Sequence, residues 1–209
     1  MTPSDPAHFD RWADSYDDSV SAKSGFPFEG YEGALDRVIQ IAATRPELNV
    51  WDIGTGTGRL AGELFEQGCQ VWATDFSERM LELAAERYPG VELELGDLRE
   101  SPPLGFPLRF DRIVSAYALH HLGPDEKVDR IRSLVDDHLE PDGLLIVADV
   151  AFDTADDQES VREQVGDRWD ASEHYWIVDQ TLAALEQRFL RARFERVSFC
   201  AGVFTVFEP

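Results

Sequence analysis

Val50-Trp51-Asp52-Ile53-Gly54-Thr55-Gly56-Thr57-Gly58-Arg59-Leu60 passes from an apolar lead-in through one acid to three glycines on alternate positions, and a helical pattern follows. The order predicts a buried strand that turns through glycine into a helix. Glycine takes left-handed dihedrals without steric cost and lets a ligand lie directly against the main chain. A turn built this way is a seat for a ligand.

The dinucleotide fingerprint G-x-G-x-x-G has a related form, with its third glycine packing helix on strand and a pyrophosphate on the helix N-terminus. Here the third glycine arrives one residue early, at Gly58, and Arg59 follows. An NAD(P)-dependent oxidoreductase is therefore the weaker reading, and no Tyr-x-x-x-Lys pair supports it.

Downstream of the turn the pattern alternates. The first strand covers about 48 to 53 and the first helix about 57 to 67, ended by Gly68. Gln70 to Thr74 forms the next strand and finishes in Asp75, 21 residues after Gly54. An acid at the end of the second strand of a βαβ unit can accept both ribose hydroxyls. Ser77 is the better cap for the helix that runs through Arg87, which leaves Asp75 for a nucleoside. Val91 to Leu95 alternates apolar and acidic residues, so one face is less buried. Gly96-Asp97-Leu98 follows, and Asp97 taken alone is a turn residue.

Phe110 to Ala116 is the fourth strand, emerging at Tyr117-Ala118-Leu119-His120-His121-Leu122. Histidine titrates near neutrality, so His120 or His121 can take a proton from an acceptor, with Tyr117 a third candidate. Adjacent side chains diverge, and at most one of the two imidazoles faces a ligand. Pro124 to His138 reads as a helix, Glu140 to Gly143 as a turn with the glycine at positive φ, and Leu144 to Val150 as a central parallel strand. Asp52, Asp75, Asp97 and Ser115 all fall at or near strand carboxyl ends, where the topological rule for open α/β sheets places ligands.

The outer segments are simpler. Phe9, Trp12, Ala13 and Tyr16 stand at helical spacing in an N-terminal cap, and Tyr31 to Ala43 forms a core-packing helix. Residues 151–175 are an acidic insertion before His174-Tyr175-Trp176. After a helix over 178–190, two β-rich runs between 194 and 207 are joined too closely to be parallel neighbours, since parallel strands need a long crossover.

These stretches resemble the class I S-adenosylmethionine (SAM) methyltransferases. The carriers are D-x-G-x-G-x-G at 52–58, the acid Asp75, G-D-L at 96–98, F-D-R-I-V-S-A-Y-A-L-H-H-L at 110–122 and L-E-P-D-G-L-L-I-V-A-D at 139–149. The N-terminal W-A-D-S-Y-D is similar to the cap of small-molecule methyltransferases, and the chain looks like a group of uncharacterised bacterial members. The resemblance implies a doubly wound α/β fold, with a mostly parallel seven-stranded sheet, an antiparallel C-terminal strand and a helical cap. It gives Gly54, Gly56 and Gly58 to the methionine part of SAM, with Asp52 near its amine. Asp75 goes to the ribose, Phe76 and Met80 to adenine stacking, and Asp97 and Leu98 to the adenine edge. The run holding Ser115, Tyr117, His120 and His121 falls beside the sulfonium. Trp12, Tyr16, His174, Tyr175 and Trp176 become lid or acceptor candidates. A single domain over 1–209 is implied, divided into a cap (1–45), a SAM-binding core (46–150), an insert (151–176) and a C-terminal helix and strand pair (177–209). A non-catalytic SAM-binding protein is the alternative.

Composition limits the partners. Forty-one acids oppose 19 bases for a formal charge of −22, and only Lys23 and Lys127 are lysine. Such a surface repels phosphate backbones, so nucleic acid is excluded and a small-molecule acceptor is left. The balance also resembles proteins of salt-loving or high-GC organisms. Cys69 and Cys200 lack partner spacing, and no metal-ligand cluster stands out in the sequence. No apolar run nears the roughly 20 residues of a bilayer span, and the first residues lack signal-peptide features. A cytoplasmic monomer or homodimer without membrane contact is expected.

Overall fold

The computed structural model describes residues 10, 13–16, 20 and 25–208. Helix α1 spans Tyr31–Ala42, strand β1 Asn49–Ile53, α2 Arg59–Glu66, β2 Gln70–Asp75, α3 Glu78–Arg87, β3 Glu92–Leu95 and β4 Phe110–Ala116. There follow α4 at Pro124–Ser133, β5 at Leu139–Phe152, α5 at Ala155–Val165, β6 at Trp176–Ile177, α6 at Val178–Gln187, β7 at Arg191–Arg196 and β8 at Ala201–Phe207.

Seven strands form the sheet path β3-β2-β1-β4-β5-β8-β7, and the two-residue β6 pairs with β5 off that path. Every pairing is parallel except those of β8, which runs against both β5 and β7. The doubly wound sheet with an antiparallel C-terminal strand is thus as the sequence indicates. Strand order reverses between β1 and β4, the point where such sheets open a crevice at their carboxyl ends.

Period-two burial separates the two layers. Val50, Val71, Val114 and Ile146 pack on one face with Leu35 and Val38 of α1 and Leu60 and Leu64 of α2. Trp51, Ile53, Ile113, Leu145 and Val147 pack on the other with Ile131 of α4 and Leu185 of α6. Strand β3 lies at the edge with Glu92, Glu94 and Leu95 exposed, which is why its sequence alternates. Among the described residues no helix is long and apolar enough to cross a membrane.

The helix expected over 124–138 holds in extent, and the turn expected at 140–143 does not. The helix after Pro124 changes winding at Leu134, and Leu134–His138 is a π-helical turn. The segment read as a turn at 140–143 belongs to β5, as a bulge: Phe110 pairs Leu139, whereas Arg112 pairs Leu144. Positive φ falls on Asp142, at 65°. Gly143 is needed for proximity instead, since a Cβ there would stand 2.7 Å from the Glu140 carbonyl oxygen and from Leu139 Cγ.

Gly54 combines a φ of 72° with a neighbour in the way, because an added Cβ would lie 2.5 Å from the Ala118 Cβ. Strain and overpacking each cost on the order of 1–3 kcal/mol. Gly54→Ala is therefore expected to lower unfolding free energy by at least about 2 kcal/mol, read as a fall in urea midpoint at unchanged slope.

Candidate active site

The glycine turn is held from β2. The Gly54 and Thr55 amides both donate to the Thr74 carbonyl, at 2.8 and 3.0 Å, and the Gly56 amide donates to Asp75 Oδ2 at 2.8 Å. Gly56 has φ 56° and nothing within 4 Å of where a Cβ would be, so its main chain faces open space. That space is a cavity of about 720 Å³, counting its open mouth. Asp52, Gly54, Thr55, Gly56, Asp75, Phe76, Met80 and Leu98 line its floor. Tyr16, Tyr31, Leu35, Tyr117 and His121 close it from the other sides.

Its two carboxylates differ in how they are satisfied. Asp75 Oδ1 accepts from the Ser77 amide at 2.9 Å, while Ser77 caps α3 through its hydroxyl. Burial nevertheless outweighs these bonds and lifts the Asp75 pKa to about 6. Asp52 is fully buried; its Oδ2 accepts from the Thr55 hydroxyl at 2.7 Å, and its Oδ1 has no partner among the described residues. Burial pushes Asp52 up to about 7 against the pull of Thr55, and the Asp75 charge adds to the rise. The Tyr117 hydroxyl is a second buried polar atom without a described partner, on a residue held at φ 52°.

Residues 50–143 match a methyltransferase domain family. An uncharacterised methyltransferase of Oceanobacillus iheyensis is 35% identical over 149 residues, covering 70% of this chain and 67% of its own. The chain belongs to the class I SAM-dependent methyltransferases. Among solved structures, the fold superposes on magnesium protoporphyrin IX methyltransferase from Synechocystis with bound S-adenosylhomocysteine (SAH) (TM-score 0.73, 18% identity, 98% of this chain and 100% of that one). The [4+2]-cyclase SpnF shares it too (TM-score 0.71, 16% identity, 100% and 97%). At such identities the likeness shows the fold alone.

Several residues of this methyltransferase that the sequence singled out stand elsewhere. Ser115 does not line the cavity: its hydroxyl donates to the Ile53 carbonyl at 2.8 Å and ties β4 to β1. Asp97 is outside the lining as well. Its Oδ1 accepts from the Arg99 amide at 2.8 Å and pairs with the Arg99 guanidinium at 3.3 Å, so its carboxylate closes its own turn. The His174 side chain is exposed, and only its backbone takes part, the amide donating to the His120 carbonyl at 2.8 Å. Trp12 lies outside the described residues.

Beyond the cavity wall is a second polar cluster. His121 lines the cavity and His120 does not, although the two rings stand only 4.3 Å apart between centroids. His120 Nδ1 meets Asp149 Oδ1 at 2.6 Å, and its amide donates to Asp149 Oδ2 at 3.0 Å. Trp176 Nε1 also donates to Asp149 Oδ2, at 2.9 Å, so Trp176 serves this network and not the cavity. Lys127, buried, donates to the His174 carbonyl and sits 4.5 Å over the Trp176 ring. Burial brings the Lys127 ammonium down to about 8. For His120, burial works to lower the pKa but the Asp149 charge and hydrogen bond raise it overall. His121 is driven down to about 3 by burial and by His120. Tyr175 is buried in an aromatic group, 4.8 Å edge-on from Trp169 and 5.4 Å from Phe26.

Sequence reasoning passed over Asp149, Lys127, Glu173 and Tyr31. For Asp149 the signal was present: it is a lone acid inside the apolar run of β5, where a buried charge needs partners. Nothing local marks Glu173 or Lys127.

A carboxylate whose folded pKa is raised stabilises the fold fully below its ordinary value and loses that contribution as pH climbs through the folded value. Asp52 and Asp75 rise from 3.8 to about 7 and about 6. Unliganded protein should therefore lose stability between about pH 4 and about pH 7, by up to about 1.4 kcal/mol per pH unit for each carboxylate. Asp52→Asn should flatten the upper part of that slope in thermal unfolding followed across pH.

Proposed function

We propose that this methyltransferase transfers the SAM methyl group to a small-molecule acceptor bound inside the chamber. The observation that carries the reading is enclosure. The glycine turn and both strand-end carboxylates lie under Tyr16 and Tyr31, and the acceptor side is walled by Tyr117 and His121. A chamber closed in this way admits a compact molecule, and the charge of −22 disfavours a nucleic-acid chain.

Within it, the open main chain of Gly56 and Gly54 receives the amino-acid part of SAM, while Gly58 lies outside the lining, packed against Ala84 and Tyr88. The unpartnered Oδ1 of Asp52 takes the ammonium, whose arrival favours the ionised carboxylate. Asp75 meets the ribose, Phe76 and Met80 flank adenine, and the backbone at Leu98 reads its edge. Asp97 joins them only by turning from Arg99. Tyr16 belongs to a lid anchored near the adenosine end, where Ser77 Oγ donates to Asp10 at 2.5 Å and Arg79 pairs with Asp14 at 2.7 Å. Tyr175 of the 151–176 insert does not line the cavity; it packs with Trp169 and Phe26 outside it.

Transfer is a direct displacement at the sulfonium methyl. The donor is already activated, so the protein's work is alignment and exclusion of water. Of the three candidate bases only Tyr117 and His121 reach the cavity. A base with a pKa near 3 gains little from proton transfer at neutral pH, so His121 orients the acceptor more than it deprotonates it.

SAM and SAH should bind in calorimetry, and Asp75→Ala should weaken both at least tenfold. Absence of heat with wild-type protein would sink the assignment. The SpnF fold-mate keeps a second reading open, in which the scaffold binds the nucleoside without moving its methyl. Release of SAH with any member of a broad acceptor panel excludes it.

A further inference from the structure

The turn after β4 and the loop before β6 meet at three side chains, of which His121 lines the cavity and His120 and Glu173 lie outside it. His120, His121 and Glu173 each present a ligand atom, and all three atoms lie within 4.8 Å of one another. His120 Nε2 and Glu173 Oε1 are 3.6 Å apart. We propose that His120, His121 and Glu173 form a binding site for one divalent transition-metal ion, of the two-histidine, one-carboxylate kind, at the acceptor end of the chamber.

Geometry supports it first. Metal bonds of about 2.0–2.2 Å to imidazole nitrogen and carboxylate oxygen put two ligands of one ion about 3.3–3.6 Å apart at tetrahedral angles and at most about 4.4 Å apart when opposite. The His120 to Glu173 spacing of 3.6 Å is already tetrahedral, and the other pairs, at up to 4.8 Å, close by up to about 1.5 Å for a four-coordinate site. Glu173, in a loop with its side chain 20% exposed, supplies part of that movement by releasing its hydrogen bond with Tyr175. Two imidazoles and one carboxylate suit zinc, iron(II) or cobalt(II), not the all-oxygen preference of magnesium or calcium.

The surroundings support it second. Metal-bound histidines hold their other ring nitrogen on a carboxylate, which fixes the tautomer and aims the lone pair at the ion. Asp149 does this for His120 through the 2.6 Å contact at Nδ1, leaving Nε2 toward Glu173. Asp149 is itself fixed by Trp176 Nε1 and by the amides of His120 and Val150. Lys127 also faces this cluster and raises the electrostatic cost of a cation. Its charge, however, sits beside Asp149 and offsets that carboxylate, so Glu173 remains to balance the metal. Asp170, near His121, is held in its own turn by the Ser172 amide at 2.8 Å.

Because His121 lines the cavity, an ion on these residues has its open coordination position toward the acceptor space. Resting on the methyl-transfer reading, this selects acceptors with a hydroxyl or thiol. Coordination releases the acceptor proton to solvent, and an oxygen or sulfur lone pair then forms the bond to the methyl carbon. The carbon–sulfur bond of SAM breaks with its electron pair on sulfur, giving neutral SAH.

The test titrates cobalt(II) chloride into the full chain after chelator dialysis, with ligand-field absorption as the readout. One equivalent should bind with the spectrum of a four- or five-coordinate nitrogen and oxygen site and be displaced by zinc chloride. Glu173→Gln and His121→Asn, both checked for wild-type circular dichroism and melting without metal, should each loosen binding at least tenfold. No saturable cobalt binding, or binding unchanged in both variants, overturns the site. SAH calorimetry on the metal-free protein reads the methyl-transfer assignment separately, so each can fail alone.

Discussion

The structure depends on how the carboxyl end of β2 holds the turn that leaves β1. One carbonyl, Thr74, accepts both the Gly54 and Thr55 amides, and one carboxylate, Asp75, accepts the Gly56 amide. The parallel register that pairs Ile53 with Thr74 brings these groups level. Without them the turn would present buried amides with no acceptor, at a cost of about 1–3 kcal/mol each. With them the glycine main chain is fixed facing the cavity before any ligand arrives. Asp75 is thereby a structural residue of the empty protein as well as a candidate ligand residue, and its substitution acts through both roles.

Long-range order was legible in the sequence because each strand carries its own burial signature. The apolar run of β5 sits between β4 and β8, and the alternating run of β3 lies at the edge. The closely joined C-terminal runs gave the antiparallel pair by chain length alone. The floor of the site was legible for the same reason, since residues at strand ends are placed by the sheet. What escaped depends on side-chain direction and on chain segments meeting across the fold. Ser115 near the end of β4 and Asp97 just beyond β3 have the right position in the chain, yet one hydroxyl meets Ile53 and one carboxylate meets Arg99. Tyr31 read as core, and it is buried, but it also roofs the cavity. Glu173 reaches His120 from 53 positions away by sequence number, through a loop without a periodic pattern.

Three buried acids, Asp52 and Asp75 at strand ends and Asp149 within β5, are satisfied in three ways. Asp149 has an imidazole, an indole and two backbone amides, and the His120 charge overcomes its burial to hold its pKa below the usual range. Asp75 has backbone amides only, which offset burial incompletely. Asp52 has one hydroxyl and one bare oxygen, and burial raises it furthest of the pair on the cavity floor. A buried carboxylate left incomplete is costly unless something else completes it. The sheet therefore grades its acids by what they still lack. Asp149 lacks nothing and builds the scaffold behind the histidines. Asp75 lacks part of its compensation and has room for hydroxyl donors. Asp52 lacks a cation, and on the methyl-transfer reading the SAM ammonium is the one cation that the reaction itself brings to the glycine turn.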